Sequence, residues 1–136
     1  MTRITINVRN AEMVRKGLED LTAEIPKIGR QTIYDAMVRI QMSMKKYPPT
    51  RPGQTYVRTY KLREGWVVVK REEMSYGINN QVPYTRYVVG DAYGMGQAWM
   101  HAGRWQIFRD VVDDEASRLP AEVERAISVV ARRLLK

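Results

Sequence analysis

The feature that most constrains the fold is an apolar stripe at the C-terminal end of the 136-residue chain. From Phe108 onward, apolar residues recur at spacings of 3 or 4, which is the period of an amphipathic helix. The phase survives Pro120, so the pattern predicts either one long helix kinked there or two nearly coaxial helices. An unbroken helix of ~27 residues would be about 40 Å long. Because a domain this small cannot easily cover that length, we expect part of the helix to pack on another subunit. The stripe consists of Val112, Ala116, Leu119, Val123, Ala126, Val130 and Leu134.

Two more helices are predicted in the N-terminal third of the chain. Asn10 offers an N-cap, and an apolar stripe follows it until Pro26 and Gly29 interrupt the pattern. A second helix runs from about residue 30 to 47 and is ended by Pro48 and Pro49. The first stripe is Val14, Leu18, Leu21 and Ile25, and the second is Ile33, Met37, Ile40, Met44 and Tyr47. Ahead of both helices, residues 3–8 alternate strictly, which predicts a strand with Ile4, Ile6 and Val8 on one face.

The central part of the chain predicts a small sheet and several irregular segments. Residues 66–70 are β-branched and continuous after Trp66, which predicts a strand buried on both faces or nearly so. After a turn, Met74, Tyr76 and Ile78 alternate and predict a hairpin partner. Residues 83–89 fit a short strand or a helical turn, and residues 90–96 a loop. We therefore predict an α+β fold: a small antiparallel sheet flanked by helices, with a long C-terminal helix kinked near Pro120. Residues 1–136 form a single domain with a mobile, proline-rich loop at about 48–57.

Composition excludes several classes of function. The chain has no cysteine, which excludes disulfides, iron–sulfur clusters, thiolate zinc sites and cysteine nucleophiles. His101 is the single histidine, so multi-histidine metal sites are excluded as well. No apolar run approaches the ~18 residues of a membrane span, and no signal-peptide core is present at the N-terminus. These patterns predict a cytosolic protein without membrane contact.

Charge is distributed unevenly along the chain, whose formal net charge is +8. Residues 1–71 hold 15 basic and 6 acidic side chains, whereas residues 72–136 hold 8 basic and 9 acidic ones. Within residues 39–71 there are nine basic residues and one acid, Glu64. A basic segment of this kind indicates an acidic partner, such as nucleic acid, a membrane surface or an acidic protein, although solubility alone also explains such charge.

Three patterns were tested for chemistry. The glycines at 90, 94 and 96 lack the Lys-Ser/Thr pair of a phosphate loop. His101, between Trp99 and Trp105, is more typical of a structural hydrogen-bonding residue than of a catalyst. The acidic cluster at residues 110–115 fits a helix first turn that complements the macrodipole. We therefore predict no enzymatic activity and no catalytic, cofactor-binding or metal-binding residue. The cluster consists of Asp110, Asp113, Asp114 and Glu115.

Aromatic residues fall into two predicted groups. One group is expected to form or border the sheet core: Trp66, Tyr76, Tyr84, Tyr87, Trp99 and Trp105. The other is interleaved with basic residues around the proline-rich loop. Arginine, lysine and tyrosine in such a mixture suit either a phosphate backbone with stacked bases or a protein interface. The candidate contact residues for a partner or DNA are Tyr47, Arg51, Tyr56, Arg58, Lys61 and Arg63.

Residues 58–66, Arg-Thr-Tyr-Lys-Leu-Arg-Glu-Gly-Trp, resemble the Arg-Thr-Gly-x-Leu-x-x-Ser-(Trp/Ile) motif of the tail-completion, or neck, proteins of long-tailed bacteriophages. Tyr60 and Gly65 stand where that motif has Gly and Ser. Residues 80–90, Asn-Gln-Val-Pro-Tyr-Thr-Arg-Tyr-Val-Val-Gly, resemble the family's Asn-x-x-x-Tyr-Ala-x-Tyr-Val-x-Gly element, with Thr85 in place of Ala. Gln97, His101, Gly103 and Trp105 match a Gln…His…Gly-x-Trp element that follows. The resemblance covers about residues 56–105.

The resemblance implies a non-enzymatic virion protein, made in the host cytoplasm, in a ring that connects the DNA-filled capsid to the tail. A hexameric ring is favoured over a dodecameric one. It also implies contacts with adjacent connector and tail proteins and possible non-specific contact with DNA. A basic nucleic-acid-binding module is the alternative function, and a small ribonuclease would fit the size but lacks a convincing acid/base set.

Overall fold

The computed structural model describes residues 8–53, 58–72 and 75–135, and the side chains from residue 12 onward. Four helices and one hairpin make up this part of the chain, which confirms the mixed α+β prediction. In order, the elements are α1 (Val8–Met44), α2 (Lys61–Glu64), β1 (Trp66–Glu72), β2 (Ser75–Asn80), α3 (Thr85–Val89) and α4 (Phe108–Leu134). None of the helices among these residues is long and apolar enough to cross a membrane.

The first helix, α1, runs for 37 residues without a break, so the predicted division at Pro26 and Gly29 is wrong. A proline inside a helix removes one hydrogen bond but leaves the remaining turns free to pair, and the packing of α4 along α1 supports the continuous form. The predicted N-cap is also wrong, because α1 begins at Val8 and Asn10 lies inside it. Most of the strand predicted for residues 3–8 lies outside the described residues.

The last helix, α4, is a single element of 27 residues that passes through Pro120, so the chain forms one long helix here rather than two coaxial ones. It packs antiparallel to α1. At one end, Arg39 of α1 lies against Glu115 and Glu122 of α4. At the other end, Gly17 of α1 lies against the C-terminal residues of α4. The two helices therefore pack against each other along most of their length.

The hairpin follows the predicted pattern, with β1 and β2 antiparallel and Trp66 opposite Asn80. The register shifts between Lys70 and Glu72, close to the turn. Val67 of β1 is exposed, so the prediction that this strand is buried on both faces is wrong. A two-stranded sheet packed against α1 on one side leaves its other face in water, and only the side chains that point toward α1 are covered.

The core lies at one end of the α1–α4 pair. Its largest fully buried side chains belong to α1 and α3, and the Trp66 ring stacks on Phe108 with centroids 5.2 Å apart. We call this end the body: the core cluster and the elements packed on it, including α1 from residue 26 and α4 up to residue 120. The stem consists of residues 12–25 of α1, residues 121–134 of α4 and the capping residue Leu135. The core cluster is Ile40, Met44, Leu62, Trp66, Val88 and Val89.

Candidate functional site

Three aromatic rings meet just beyond the end of α1. The Tyr47 ring stacks on Tyr60 at 5.1 Å and meets the edge of Trp105 at 4.8 Å. The guanidinium carbon of Arg63 lies 4.5 Å from the Tyr60 ring centre and 5.0 Å from that of Tyr47, which is cation–π geometry. Burial is the main cause that raises the pKa of the Tyr47 hydroxyl. We call this group, with Arg58, the Tyr47 cluster.

The arginines of the basic segment bond to backbone carbonyl groups. Arg58 Nη1 donates to the Pro48 carbonyl at 2.7 Å, and Arg63 Nε donates to the Lys45 carbonyl at 3.0 Å. Arg51 Nη2 donates to the carbonyl of Met100 at 2.9 Å. These bonds join the start of the proline-rich loop to the body, so the three arginines have a structural role in addition to any contact with a partner.

The structure brings together three of the six predicted contact residues. Tyr47, Arg58 and Arg63 are in direct contact, and Arg51 lies on the same loop. Lys61 is exposed, and its side chain makes no hydrogen bond or ion pair with the described residues. Tyr56 lies outside the described residues.

Tyr60 has a left-handed backbone conformation, with φ of 59° and ψ of 18°. A bulky residue with positive φ is a genuine outlier, and only glycine adopts this region without steric cost. The conformation turns the chain sharply into α2 and brings the Tyr60 ring onto Tyr47. Tyr60 stands where the neck-protein motif has glycine.

A cavity of about 240 Å³ opens beside the Tyr47 cluster. Two buried nitrogen atoms at this cavity, Arg58 Nε and His101 Nδ1, have no hydrogen-bond partner among the described residues. Burial, aided by the charges of Arg104 and Arg51, lowers the pKa of His101. The cavity therefore contains a guanidinium N–H without an acceptor in the part of the chain that the structure describes, which suits a ligand group able to accept a hydrogen bond. Its lining is Tyr47, Arg58, Thr59, Tyr60, Leu62, Tyr84, Val88, His101 and Trp105.

Asn80 of the second resemblance element and Gln97 of the third form hydrogen bonds with backbone groups. Asn80 donates from Nδ2 to the Leu62 carbonyl at 2.7 Å and accepts from the backbone N–H of Val82 at 3.0 Å. Gln97 Nε2 donates to the carbonyls of Val88 and Trp105 at 2.9 and 3.2 Å. Both side chains thus tie α2, α3 and the loop before α4 into one unit, a role that short polar side chains at fixed spacing can fill.

A second group of aromatic and methionine side chains is exposed on the loops around α3. Trp99 is 83% exposed and Tyr93 is 81% exposed. Tyr84, Tyr87 and Trp99, which are predicted to form or border the sheet core, are exposed and are not among the residues packed against the core cluster. We call this group the loop surface: Tyr84, Tyr87, Tyr93, Met95, Trp99 and Met100.

The backbone beneath the loop surface is well bonded. The Asp91 carboxylate accepts hydrogen bonds from the N–H groups of Tyr93 and Met95, each at 2.9 Å. The bond from Met95 is the main cause that lowers the pKa of Asp91. The N–H of Ala98 donates to the Tyr87 carbonyl at 2.7 Å. A loop fixed in this way presents its aromatic side chains in a defined arrangement before any partner binds.

One charged site was missed by the sequence analysis. Arg39 of α1 donates to Glu115 at 3.0 Å and to Glu122 at 2.6 Å, and Glu115 is buried. The prediction that Glu115 serves only the helix dipole is therefore wrong. Its partner lies 76 residues away, and no local pattern joins the two positions. The other members of the predicted cluster are exposed, and Asp113 and Asp114 pair with arginines one turn away on α4.

Two further observations bear on function. No cluster of three or more potential metal ligands occurs in the residues that the structure describes. No protein-family model matches the chain, and neither a curated protein nor a solved structure is similar to it.

Proposed function

We propose that this protein is a structural assembly subunit: a ring-forming neck, or tail-completion, protein that joins the DNA-filled capsid of a long-tailed bacteriophage to its tail. The observation that carries the proposal is the loop surface. Tryptophan, tyrosine and methionine are enriched at the anchoring positions of protein interfaces. A tryptophan as exposed as Trp99, on a hydrogen-bonded loop, is best explained by a protein partner that covers it.

The three resemblance elements support the same function. The first forms α2 and contributes Tyr60 and Arg63 to the Tyr47 cluster, and the others build α3 and the loop surface. Tyr60 has the backbone conformation that explains a glycine at this position of the motif. The resemblance therefore coincides with the part of the chain that carries the exposed aromatic residues.

The bonding of the basic segment favours a protein partner over a dedicated nucleic-acid site. Arg51, Arg58 and Arg63 each donate to a backbone carbonyl, which limits their freedom to follow a phosphate backbone. An acceptor group on a neighbouring subunit would satisfy Arg58 Nε in the cavity beside the Tyr47 cluster. Contact with DNA is then non-specific and screened by salt.

The test has a biochemical arm and a virological arm. Purified protein is measured by native mass spectrometry and negative-stain microscopy, and its binding to duplex DNA is followed across a salt series. We expect closed rings without DNA and weak binding that collapses toward physiological salt. Trp99→Ala should weaken assembly or attachment to the neighbouring connector protein, and Val67→Ala, an exposed apolar control on β1, should not.

The virological arm uses a phage that carries this gene. Without the protein, filled capsids and finished tails should accumulate unjoined, and added wild-type protein should join them. Lys61→Glu removes an exposed cation without removing a hydrogen bond to the described residues, so it tests charge at the junction more cleanly than a change at Arg58. Monomeric protein that binds one DNA sequence tightly at physiological salt would overturn the proposal and favour a nucleic-acid-binding module.

A further inference from the structure

The stem exposes apolar side chains that a monomer leaves in water. Val14, Leu18 and Ile25 of α1 share one helical stripe, yet Leu18 is 49% exposed and the other two are exposed as well. Val129 of α4 and Leu135, which caps that helix, are also exposed. A pair of helices has one contact line between them, so it covers only the inner part of each apolar stripe. The outer part needs another helix.

The charges of the stem indicate which helix covers the outer part of the apolar stripe. Residues 12–24 of α1 contain four acidic and two basic side chains, whereas residues 125–135 of α4 contain three arginines and no acid. The ion pairs along this part of α1 join residues of the same helix, as in Arg15 with Glu12 and Glu19. Arg132 and Arg133 make no ion pair with any described residue. An acidic helix segment and a basic one are thus both available for contacts outside the subunit.

We propose that the stems of neighbouring copies pack side by side, with the α1 segment of one copy against the α4 segment of the next. The occupant of the exposed stripe is a second copy of this chain. When all stems point the same way, α1 of one copy runs antiparallel to α4 of the next, as the two helices do within the subunit. Asp20 of one copy then lies at the same height along the stem as Arg132 and Arg133 of the next copy. Such a contact joins two different surfaces, so its repetition forms a closed ring when the rotation from copy to copy divides a full turn. This inference rests on the proposed function and names the contact through which its ring forms.

A charge-exchange experiment tests the pairing directly. One variant carries Asp20→Lys and Glu24→Lys, which makes both segments basic. The other carries Arg132→Glu and Arg133→Glu, which makes both acidic. We expect each variant alone to associate about tenfold or more weakly than wild type, because like charges face each other at every contact. Mixed in equal amounts, they should assemble into oligomers that contain both in a one-to-one ratio by native mass spectrometry.

The apolar part of the contact is tested by Leu18→Glu. Its control is Met42→Glu, an exposed apolar residue on the same helix but in the body. We expect Leu18→Glu to abolish stem association and Met42→Glu to leave it in place. Far-UV circular dichroism and the thermal midpoint verify that both variants keep the fold.

Three results would overturn the inference. In the first, the two charge variants fail to assemble together. In the second, Leu18→Glu assembles as wild type does. If rings are then lost only with Trp99→Ala, the proposed function stands and the stem contact is rejected. In the third, wild-type protein is monomeric and a variant lacking residues 2–7 associates, which would assign the stripe to the chain's own N-terminal residues.

Discussion

The body and the stem are built from the same two helices, yet they are stabilised differently. In the body, α1 and α4 are covered by the hairpin, α2 and α3, and six side chains form a continuous buried cluster. In the stem, the same helices have only each other, and Gly17 is the one described position there that is buried. The comparison shows that a regular apolar stripe specifies a helix but does not specify what covers it.

The largest expected effect contrasts one residue from each region. Trp66 is 3% exposed at the centre of the body, so Trp66→Ala should lower the free energy of unfolding by ~3–5 kcal/mol. Leu18→Ala in the stem should cost less than ~1 kcal/mol, because about half of its surface is already in water. Urea denaturation of dilute protein measures both. Equal costs would mean that the stem is covered in the isolated subunit.

The second prediction concerns Arg39, which joins α1 to α4 next to the stem. Arg39→Met leaves Glu115 buried without its ion-pair partner, and we expect a loss of ~2–3 kcal/mol, less than for a fully buried pair because Arg39 is partly exposed. Arg15→Met is the matched control and should cost much less, since both of its ion pairs are exposed. In a double variant, Glu115→Met should recover part of the loss. No recovery would indicate that Arg39 acts through its aliphatic packing.

The third prediction concerns the backbone at Tyr60 in the body. Glycine adopts the left-handed conformation freely whereas alanine does not, so Tyr60→Gly should be more stable than Tyr60→Ala by ~1 kcal/mol. Both variants lose the stacking on Tyr47, so their difference isolates the backbone cost. Thermal unfolding measures it, and the opposite order would mean that the turn into α2 relaxes when the ring is removed.

The smallest expected effect is a pH dependence from His101. Burial is the main cause that holds the pKa of His101 in the folded protein below its ordinary value. As pH falls through about 6.5, the unfolded chain binds a proton before the folded chain does, so the free energy of unfolding decreases. His101→Gln should flatten the dependence in that window and leave assembly unchanged. A wild-type protein that becomes more stable as pH falls there would contradict this account.

Much of the fold could be predicted from periodicity. The phase of the apolar residues in α4 continues through Pro120, and the alternation over residues 74–78 predicts the hairpin partner of the strand that begins at Trp66. Periodicity wrongly predicted a break in α1 at Pro26, because the effect of a proline inside a helix depends on packing that a local pattern does not contain. Long-range ion pairs such as Arg39 with Glu115 could not be predicted for the same reason.

The candidate site was predicted in composition more than in arrangement. The mixture of tyrosine and arginine around residues 47–63 indicated a contact region, and the structure brings Tyr47, Arg58 and Arg63 together. The bonds of these arginines to backbone carbonyls could not be predicted, because they depend on where the loop folds back. Trp99 is predicted to form or border the core because aromatic residues are usually buried. In the structure Val88 and Val89 of α3 are core residues, and Trp99 is exposed.

The two prolines inside the long helices lie at the boundary between body and stem. Each removes an N–H from the helix and leaves the carbonyl four residues earlier, at Thr22 and at Ala116, without its usual donor. Bending is therefore least costly at these two turns. The two turns lie at different heights along the helix pair, because Arg39, 13 residues after Pro26, bonds to Glu122, two residues after Pro120. A tilt at either turn redirects only the helix segment beyond that proline, and the core cluster lies on the other side of both turns. The diameter of an assembly built from such segments would then follow from the contacts between copies, and one chain could adapt to neighbours whose rotational symmetry differs from its own.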